Sequence, residues 1–156
     1  MPGLADTEEP EVVTAFEVFR SIERAASTVN AMTQPVYQRQ GVIRVDFAVL
    51  DLLLRSEPPH VMAPSQLAEE LAVSTGALTS RLDRLEDARL VRRLSVPGDR
   101  RRLQIRLTDE GRRRALLVTN ELDRSVGRVL RSMTGTQLES LTALLDALES
   151  STLATD

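Results

Sequence analysis

Three consecutive arginines, Arg100 to Arg102, directly follow the segment Pro97-Gly98-Asp99. Proline, glycine and aspartate together favour a turn, so we expect Asp99, Arg100, Arg101 and Arg102 to form the tip of a β-hairpin. Like charges on a tight turn repel one another unless an anion or Asp99 compensates them. The negative potential of a narrow DNA minor groove attracts inserted arginines, so this tip is predicted to contact DNA. The alternative is a charged tip that serves solubility alone.

A second group of candidate contacts lies on a predicted helix from Ser74 to about Ala88. Leu78, Leu82 and Leu85 recur at helical spacing and define its buried side. The opposite side suits the DNA major groove, because small residues permit close approach, hydroxyls bond base edges and arginines bind guanine in a forked pair. The residues on that side are Gly76, Ala77, Thr79, Ser80 and Arg84, with Arg81 on the flank. The alternative is an ordinary solvated helix surface.

The elements around these residues indicate a winged helix-turn-helix. Predicted helices at 64–71 and 74–88 are separated by a short turn, the spacing of a helix-turn-helix whose second helix enters the major groove. Pro64 suits the first position of a helix, and Ser74 suits an N-cap. A short strand at 60–62 precedes the helix pair. Strands at 91–95 and 102–107 follow it and add a hairpin wing.

Long apolar stripes flank this module on both sides. One helix is predicted from about residue 11 to 40, with Gly41 as its stop and Pro35 either kinking it or ending it early. A shorter helix at 45–55 is apolar on most faces and is therefore expected to be buried. After the wing, Thr108 is predicted to cap a long helix, and Thr134-x-x-Gln137 forms a capping box that begins the last one.

These stripes are too long for a winged lobe to cover, so they predict a homodimer; the alternative is a three-helix bundle inside a monomer. We therefore expect a mainly α fold with a small β-hairpin wing, in which a winged helix-turn-helix lies on a helical dimerisation scaffold. The predicted regions are a disordered tail at 1–9, a dimerisation region at 10–44 and 112–152, and a DNA-binding region at 45–111. Two lobes one helical turn apart predict a near-palindromic site of about 16–20 base pairs.

Composition and charge exclude several other classes of protein. The chain has 20 arginines, no lysine and a net charge of −3, but residues 61–114 carry 12 arginines against 8 acidic residues. Asp83, Glu86 and Asp87 of the second helix are expected to face away from DNA or to pair with nearby arginines. The absence of cysteine and the single histidine leave almost nothing for thiolate zinc sites or for Ser-His and Cys-His catalysis. No metal and no cofactor are therefore expected.

The remaining expectations concern location and rival functions. No segment is apolar enough to span a membrane, and the acidic first twenty residues lack the pattern of a secretory signal, so a cytoplasmic protein without a membrane partner is expected. An enzyme using carboxylates, such as Asp51 with Glu57, is one alternative, although nothing pairs these residues with a substrate cleft. A winged-helix module that binds protein, or binds DNA without sequence choice, is another.

The wing and the helix pair resemble one known family. The segment Asp99-x-Arg101-x-x-x-x-x-Leu107-Thr108-x-x-Gly111 and the segment LAEELAVSTGALTSRLDRLEDARLVRR at 67–93 are similar to the MarR (multiple antibiotic resistance regulator) family. The resemblance covers about residues 45–111. It implies a bacterial, homodimeric transcriptional regulator, usually a repressor, with interleaved terminal helices and one winged lobe per subunit.

The same resemblance implies particular contacts and two departures from the family. DNA contacts are implied for Ser74, Thr75, Thr79, Ser80 and Arg81, and minor-groove contacts for Asp99 to Arg101. The chain has Ala63 where the family usually has a capping Thr or Ser, which weakens that cap. It also has no cysteine, so sensing through thiol oxidation is out of reach.

The resemblance further implies release from DNA by a small, often aromatic, anionic ligand. In the family such a ligand binds where the dimer helices meet the winged lobe. By sequence position, the candidate pocket residues are Tyr37 as an aromatic, Arg44 as an anion binder, Phe47 as a wall and His60 as a switchable imidazole. Each has a plainer alternative: helix packing for Tyr37, solvation for Arg44, core packing for Phe47 and a turn for His60.

Overall fold

The computed structural model describes residues 13–96 and 99–153, including their side chains except those of residues 96, 99–101 and 151–153. The predicted disordered tail at 1–9 lies outside these residues. The elements are α1 (Ala15–Arg39), α2 (Arg44–Arg55), β1 (Val61–Met62), α3 (Pro64–Glu70), α4 (Thr75–Asp87), β2 (Val91–Val96), β3 (Asp99–Leu107), α5 (Asp109–Leu130) and α6 (Gly135–Leu153). The predicted fold class, mainly α with a small antiparallel sheet, is confirmed.

The ends of α1 follow from local hydrogen bonds. Thr14 Oγ1 accepts from the Glu17 amide at 3.2 Å, and the Glu17 carboxylate accepts from the Thr14 amide at 2.8 Å, which makes a capping box. At the other end Gly41 adopts a left-handed φ of 62°, the predicted stop. Pro35 lies inside the helix, so the expectation that it ends the helix early is wrong.

The winged lobe contains the core. Its sheet has the order β1-β3-β2, with both pairings antiparallel and with Val91 opposite Leu107. The core consists mainly of side chains from α2, α3, α4 and the sheet, and Val36 of α1 and Ala115 and Val118 of α5 pack into it. Its fully buried leucines and isoleucine are Leu50, Leu53, Leu67, Leu78, Leu90 and Ile105. The all-round apolar pattern of α2 is explained by this position, because the helix lies between the lobe and the scaffold helix α5.

The turn from β3 into α5 explains the Leu-Thr-x-x-Gly pattern. Thr108 caps α5 by accepting from the Gly111 amide at 2.9 Å. Its hydroxyl donates to the Arg89 carbonyl at 2.8 Å with the Leu90 carbonyl at 3.0 Å, and its amide donates to the Leu90 carbonyl at 3.1 Å. A Cβ at Gly111 would lie 2.0 Å from the Leu90 carbonyl oxygen, so no other residue fits without a backbone shift. This contact joins the end of the helix-turn-helix to the first turn of the scaffold helix.

The scaffold is far less covered than the lobe. Glu121 of α5 accepts from Arg39 at 2.7 Å and from Gln40 at 3.2 Å, so the end of α1 is tied to α5, and Arg39 lowers the pKa of Glu121. Beyond that tie, Phe16 is 66% exposed and Leu144 of α6 is 69% exposed. The terminal helices therefore do not close into a three-helix bundle within one chain. Among the residues described, no helix is long and apolar enough to cross a membrane.

Candidate nucleic-acid interface

The helix α4 presents the predicted face to solvent. Leu78, Leu82 and Leu85 are at most 3% exposed and fix α4 on the core. Ser74 caps the helix by accepting from the Ala77 amide at 3.3 Å. The predicted contact residues at 74–77, 79 and 80 are all exposed, and Arg81 is half-buried at the flank. The structure thus brings these sequence-predicted residues onto one accessible surface.

The hydroxyl groups of this face can act as hydrogen-bond acceptors, because each already donates its hydrogen to the helix backbone. Thr79 Oγ1 donates to the Thr75 carbonyl at 2.8 Å, and Ser80 Oγ donates to the Gly76 carbonyl at 3.2 Å. Because each hydroxyl has only one hydrogen, the lone pairs remain free and point away from the helix backbone. The face can therefore accept hydrogen bonds from the amino groups of cytosine or adenine in a major groove.

Gly76 is not required by the fold. A Cβ built at this position has nothing within 4 Å, and the residue lies in the first turn of α4 with ordinary helical backbone. Glycine in a helix costs about 1 kcal/mol relative to alanine. The absence of a side chain leaves the helix backbone accessible to a closely approaching partner.

The wing is attached to α4 by ion pairs. Arg93 of β2 binds Asp83 and Glu86 of α4 at 2.6 Å each, and its amide donates to Glu86 at 3.0 Å. The hydrogen bond that Arg93 donates to Asp83 is the largest cause of the raised pKa of Arg93. The expectation that acidic residues of this helix pair with nearby arginines is confirmed for Asp83 and Glu86. The pairing offsets one of their two negative charges and fixes the wing relative to α4.

Arg84 occupies a different place from the predicted one. Its guanidinium makes a bidentate pair with Asp46 of α2, at 2.9 Å through Nε and 2.6 Å through Nη2. The side chain of Asp46 is only 7% exposed, and that of Arg84 is 49% exposed. A nearly buried carboxylate needs this partner, so the predicted DNA contact of Arg84 is corrected to a positioning role that holds α4 on α2.

The wing differs from the prediction in where its second strand begins. Val96 pairs with Asp99, so Asp99, Arg100, Arg101 and Arg102 belong to β3 and not to the turn. The next pair is Ser95 with Leu103, which leaves the three arginines without a partner residue across the hairpin. Such an irregularity bends and twists a hairpin locally. Arg102 is exposed, and the side chains of 99–101 lie outside the described residues.

Three of the four candidate pocket residues lie together. The rings of Tyr37 and Phe47 are 5.6 Å apart at an angle of 50°, and both are buried. Burial raises the pKa of the Tyr37 hydroxyl, and the nearby charge of Arg44 partly opposes that shift. Arg44 is itself exposed and donates to the Asn30 side chain. Core packing, the plainer interpretation, is what the structure shows for Phe47.

His60 lies in a different place. Its ring is held by the Ser56 carbonyl, 2.9 Å from Nδ1, and its own carbonyl accepts from the Leu107 amide at 3.1 Å. Its φ of 57° places it in a turn, which was the plainer alternative. It lines a cavity beside the sheet and the first turn of α5. The four candidate pocket residues are therefore divided between two sites, with His60 apart from the other three.

Sequence reasoning missed Asp46 and Arg93. Asp46 is a single carboxylate within an otherwise apolar helix, and such a residue signals a buried partner. Arg93 is one of many arginines in this basic part of the chain, so it was assigned only to the general basic charge. Each of these residues pairs with a side chain that is more than six positions away in the sequence. Only the tertiary contacts therefore identify the pairs.

A helix pair with an exposed, capped second helix, followed by a hairpin locked onto that helix, defines a winged helix-turn-helix protein. Comparison with known proteins agrees. The model of the MarR family matches residues 40–102. The transcriptional regulator PecS of Dickeya dadantii (strain 3937) is 35% identical over 105 residues, which is 67% of this chain and 63% of PecS. The chain thus spans less than two thirds of that relative.

Solved structures extend the similarity over most of the chain. The MarR family regulator Sco3205 of Streptomyces coelicolor, solved in complex with DNA, is 28% identical with a TM-score of 0.78, and the match covers 92% of each chain. AbsC from the same organism is 25% identical with a TM-score of 0.80, over 94% of this chain and 100% of AbsC. The chain belongs to the MarR family.

Proposed function

We propose that this protein is a sequence-specific DNA-binding transcriptional regulator that acts as a repressor. The observation that carries the proposal is the solvent-exposed face of α4, with its small residues and hydroxyl acceptors, beside a hairpin that bears three arginines. Arg93 holds the two at a fixed relative position. The DNA complex of Sco3205 and the regulator description of PecS support the same function.

In this proposal α4 enters the major groove and the wing enters the adjacent minor groove. Ser74, Thr75, Gly76 and Ala77 lie closest to the groove, because they form the first turn. Thr79, Ser80 and Arg81 follow on the same surface. Asp99, Arg100, Arg101 and Arg102 supply the minor-groove contacts of the wing. Arg84 is left out of this set, because it binds Asp46.

The active unit proposed is a homodimer. The apolar side chains of α1 and α6 that one chain leaves exposed are Phe16, Phe19, Ile22, Leu141, Leu144, Leu145 and Leu148. A 19-residue helix with such a face is not stable in water by itself. A second copy that packs the same helices against these covers both faces by symmetry. Two lobes then predict a near-palindromic operator of about 16–20 base pairs.

Regulation by a small aromatic or anionic ligand is part of the proposal. The support is the Tyr37–Phe47 pair next to Arg44, at the junction of α1 and α2. His60 no longer belongs to this pocket. Thermal-shift titration with aromatic carboxylates and phenols, together with a DNA-release assay, tests this part. Absence of any stabilising compound in a broad set would leave the DNA-binding function without ligand control.

The central experiment is a gel-shift titration of Arg101→Ala with an operator selected from a random duplex library. We expect affinity to fall about tenfold or more, and the dependence on salt to weaken, because one phosphate-proximal cation is lost. Arg55→Ala is the matched control. Arg55 is 71% exposed at the end of α2, and its ion-pair partner among the described residues is Asp51 on the same helix.

Two outcomes would contradict the proposal. Equal affinity of Arg101→Ala and wild-type protein would remove the wing from the interface. Equal affinity for selected and random duplexes would favour the rival function, which is architectural DNA binding without sequence choice. Circular dichroism of the wild-type and Arg101→Ala proteins checks that both are folded in these assays.

A further inference from the structure

The residues around His60 form a basic cavity that the DNA-binding proposal does not use. The cavity has a volume of about 660 Å³ and lies between the outer face of the sheet, the Pro58-Pro59 turn and the first turn of α5. Its charged lining residues are Arg92, Arg106, Arg112 and Asp109. Volumes of 300–1,000 Å³ are typical of sites for small molecules.

The three arginines of this cavity have no partner among the described residues. Their guanidinium groups form neither an ion pair nor a side-chain hydrogen bond there, although Asp109 lines the same cavity. Arg93, the next residue along β2, differs because it is paired with Asp83 and Glu86. An acidic partner therefore compensates the charge of Arg93 but not the charges of the three cavity arginines.

The register of the sheet places two of these charges side by side. Arg92 of β2 is directly opposite Arg106 of β3. Residues directly opposite in an antiparallel pair have Cβ atoms about 5 Å apart, and like charges there destabilise the sheet. An anion between the two guanidinium groups would remove this repulsion. The arrangement is therefore suited to a bound anion.

The first turn of α5 adds to the positive potential. The N-terminus of a long helix carries partial positive charge, and Arg112 projects from this turn. Glu110, the other acidic residue of the turn, is bound to Arg113 and Arg114, and their hydrogen bonds lower its pKa to about 2. Asp109 is thus the one carboxylate of the turn that opposes an anion in the cavity.

The other residues that line the cavity are apolar except for His60 and Thr108, and the cavity is set back from the wing tip. Leu94, Leu107, Pro58 and Pro59 line it. Asp99 pairs with Val96 and Arg106 pairs with Arg92, so the two positions lie four residues apart along β2, which is about 13 Å at 3.3 Å per residue. A ligand here need not touch the minor groove, and it can contain an apolar group next to its charge.

We propose that this cavity binds a small organic dianion of the phosphate monoester type. Arg92 and Arg106 bind the phosphate oxygens through forked hydrogen bonds from the sheet, and Arg112 binds them from α5. Leu94 and the proline turn contact the organic part. The site is separate from the Tyr37–Phe47 pair, and its occupation does not depend on the proposed DNA binding.

The test is calorimetric titration of the whole chain without DNA, in a phosphate-free buffer of constant ionic strength. Phenyl phosphate, inorganic phosphate and phenol are the probes. Phenyl phosphate should bind once per chain and more tightly than inorganic phosphate, and phenol should not bind. Arg106→Gln and Arg112→Gln should each weaken phenyl phosphate at least about tenfold, because each removes a charge-assisted contact. Arg113→Gln, one residue further along α5, should stay within about twofold of wild type.

Several results would overturn the proposal. These are no binding of phenyl phosphate to the wild-type chain, equal binding by Arg106→Gln and Arg112→Gln, or an equal loss in Arg113→Gln. Equal affinity for inorganic phosphate would overturn the organic part. Loss of operator affinity in Arg106→Gln without phenyl phosphate binding would assign the cavity to the DNA backbone instead. Should Arg106→Gln fail to melt cooperatively, Arg112→Gln on the exposed surface of α5 decides the matter.

Discussion

The winged lobe and the ends of the scaffold differ in how completely one chain covers its apolar side chains. In the lobe, Leu67 and Leu90 are fully buried, and ion pairs join α2, α4 and β2. In the scaffold, Phe16 and Leu144 are about two-thirds exposed. The lobe therefore takes its stability from contacts within one chain, whereas α1 and α6 leave apolar side chains exposed that the proposed homodimer would cover. Four substitutions test this contrast, from the largest expected effect to the smallest.

Leu144→Asp should separate the proposed homodimer. A charged residue in the centre of an apolar interface costs about 4 kcal/mol or more, so sedimentation equilibrium should show monomers at concentrations where the wild-type chain is dimeric. Operator affinity should fall with it. Ala143→Asp, on the opposite side of α6, is the control and should remain dimeric. A dimeric Leu144→Asp protein would show that α6 does not cover its apolar face with a second copy.

Gly111→Ala should destabilise the lobe by about 3 kcal/mol, because the new Cβ collides with the Leu90 carbonyl and forces a backbone shift. Urea denaturation gives the free energy of unfolding. Gly127→Ala on the same helix has open space around its Cβ, so it should be neutral or stabilised by up to about 1 kcal/mol. If both variants had the same stability, α5 would not be joined to the lobe as tightly as described.

Asp46→Asn should cost about 1–2 kcal/mol, since it removes the charge that neutralises Arg84 while Arg84 remains half exposed and solvated. Asp51→Asn provides the comparison on the same helix. Asp51 pairs with the exposed Arg55, and surface pairs contribute about 0.5 kcal/mol. If thermal melting showed the same loss of stability in both variants, the Asp46–Arg84 pair would contribute no more than an ordinary surface pair.

Gly76→Ala should stabilise the protein by about 1 kcal/mol and nevertheless weaken operator binding. The gain follows from helix propensity, because the new methyl group meets no atom of the chain. The loss follows if α4 lies close to the floor of the major groove. Ser140→Ala, exposed on α6, controls for the effect of a surface alanine. Unchanged operator affinity in Gly76→Ala would mean that the first turn of α4 stays clear of DNA.

The comparison between lobe and scaffold also shows what the sequence could predict. Local signals were sufficient for helix ends, because Ser74, Thr108 and Thr134 cap their helices through residues three positions away. The α4 face followed from the spacing of its leucines. The family followed from the Leu107-Thr108-x-x-Gly111 turn, whose glycine the structure explains by contact with Leu90.

What the sequence could not predict depends on distant partners. Arg84 was assigned to DNA because its carboxylate, Asp46, is 38 residues away. Arg100 to Arg102 were assigned to a turn because proline, glycine and aspartate precede them, but the chain reverses between Val96 and Asp99. The cavity of Arg92, Arg106 and Arg112 joins two strands and a helix, so no single sequence segment identifies it.

The junction at Gly111 has a mechanical consequence. The helix α5 has 22 residues, so it is a rod about 33 Å long at 1.5 Å per residue. Its first turn is in direct contact with Leu90, so the helix cannot move closer to the lobe at this point. A tilt of about 5° at the far end of such a rod moves the near end by about 3 Å. In the proposed homodimer, a change in the angle between the two scaffolds would therefore change the distance between the two winged lobes. That distance must match the spacing of the two operator half-sites.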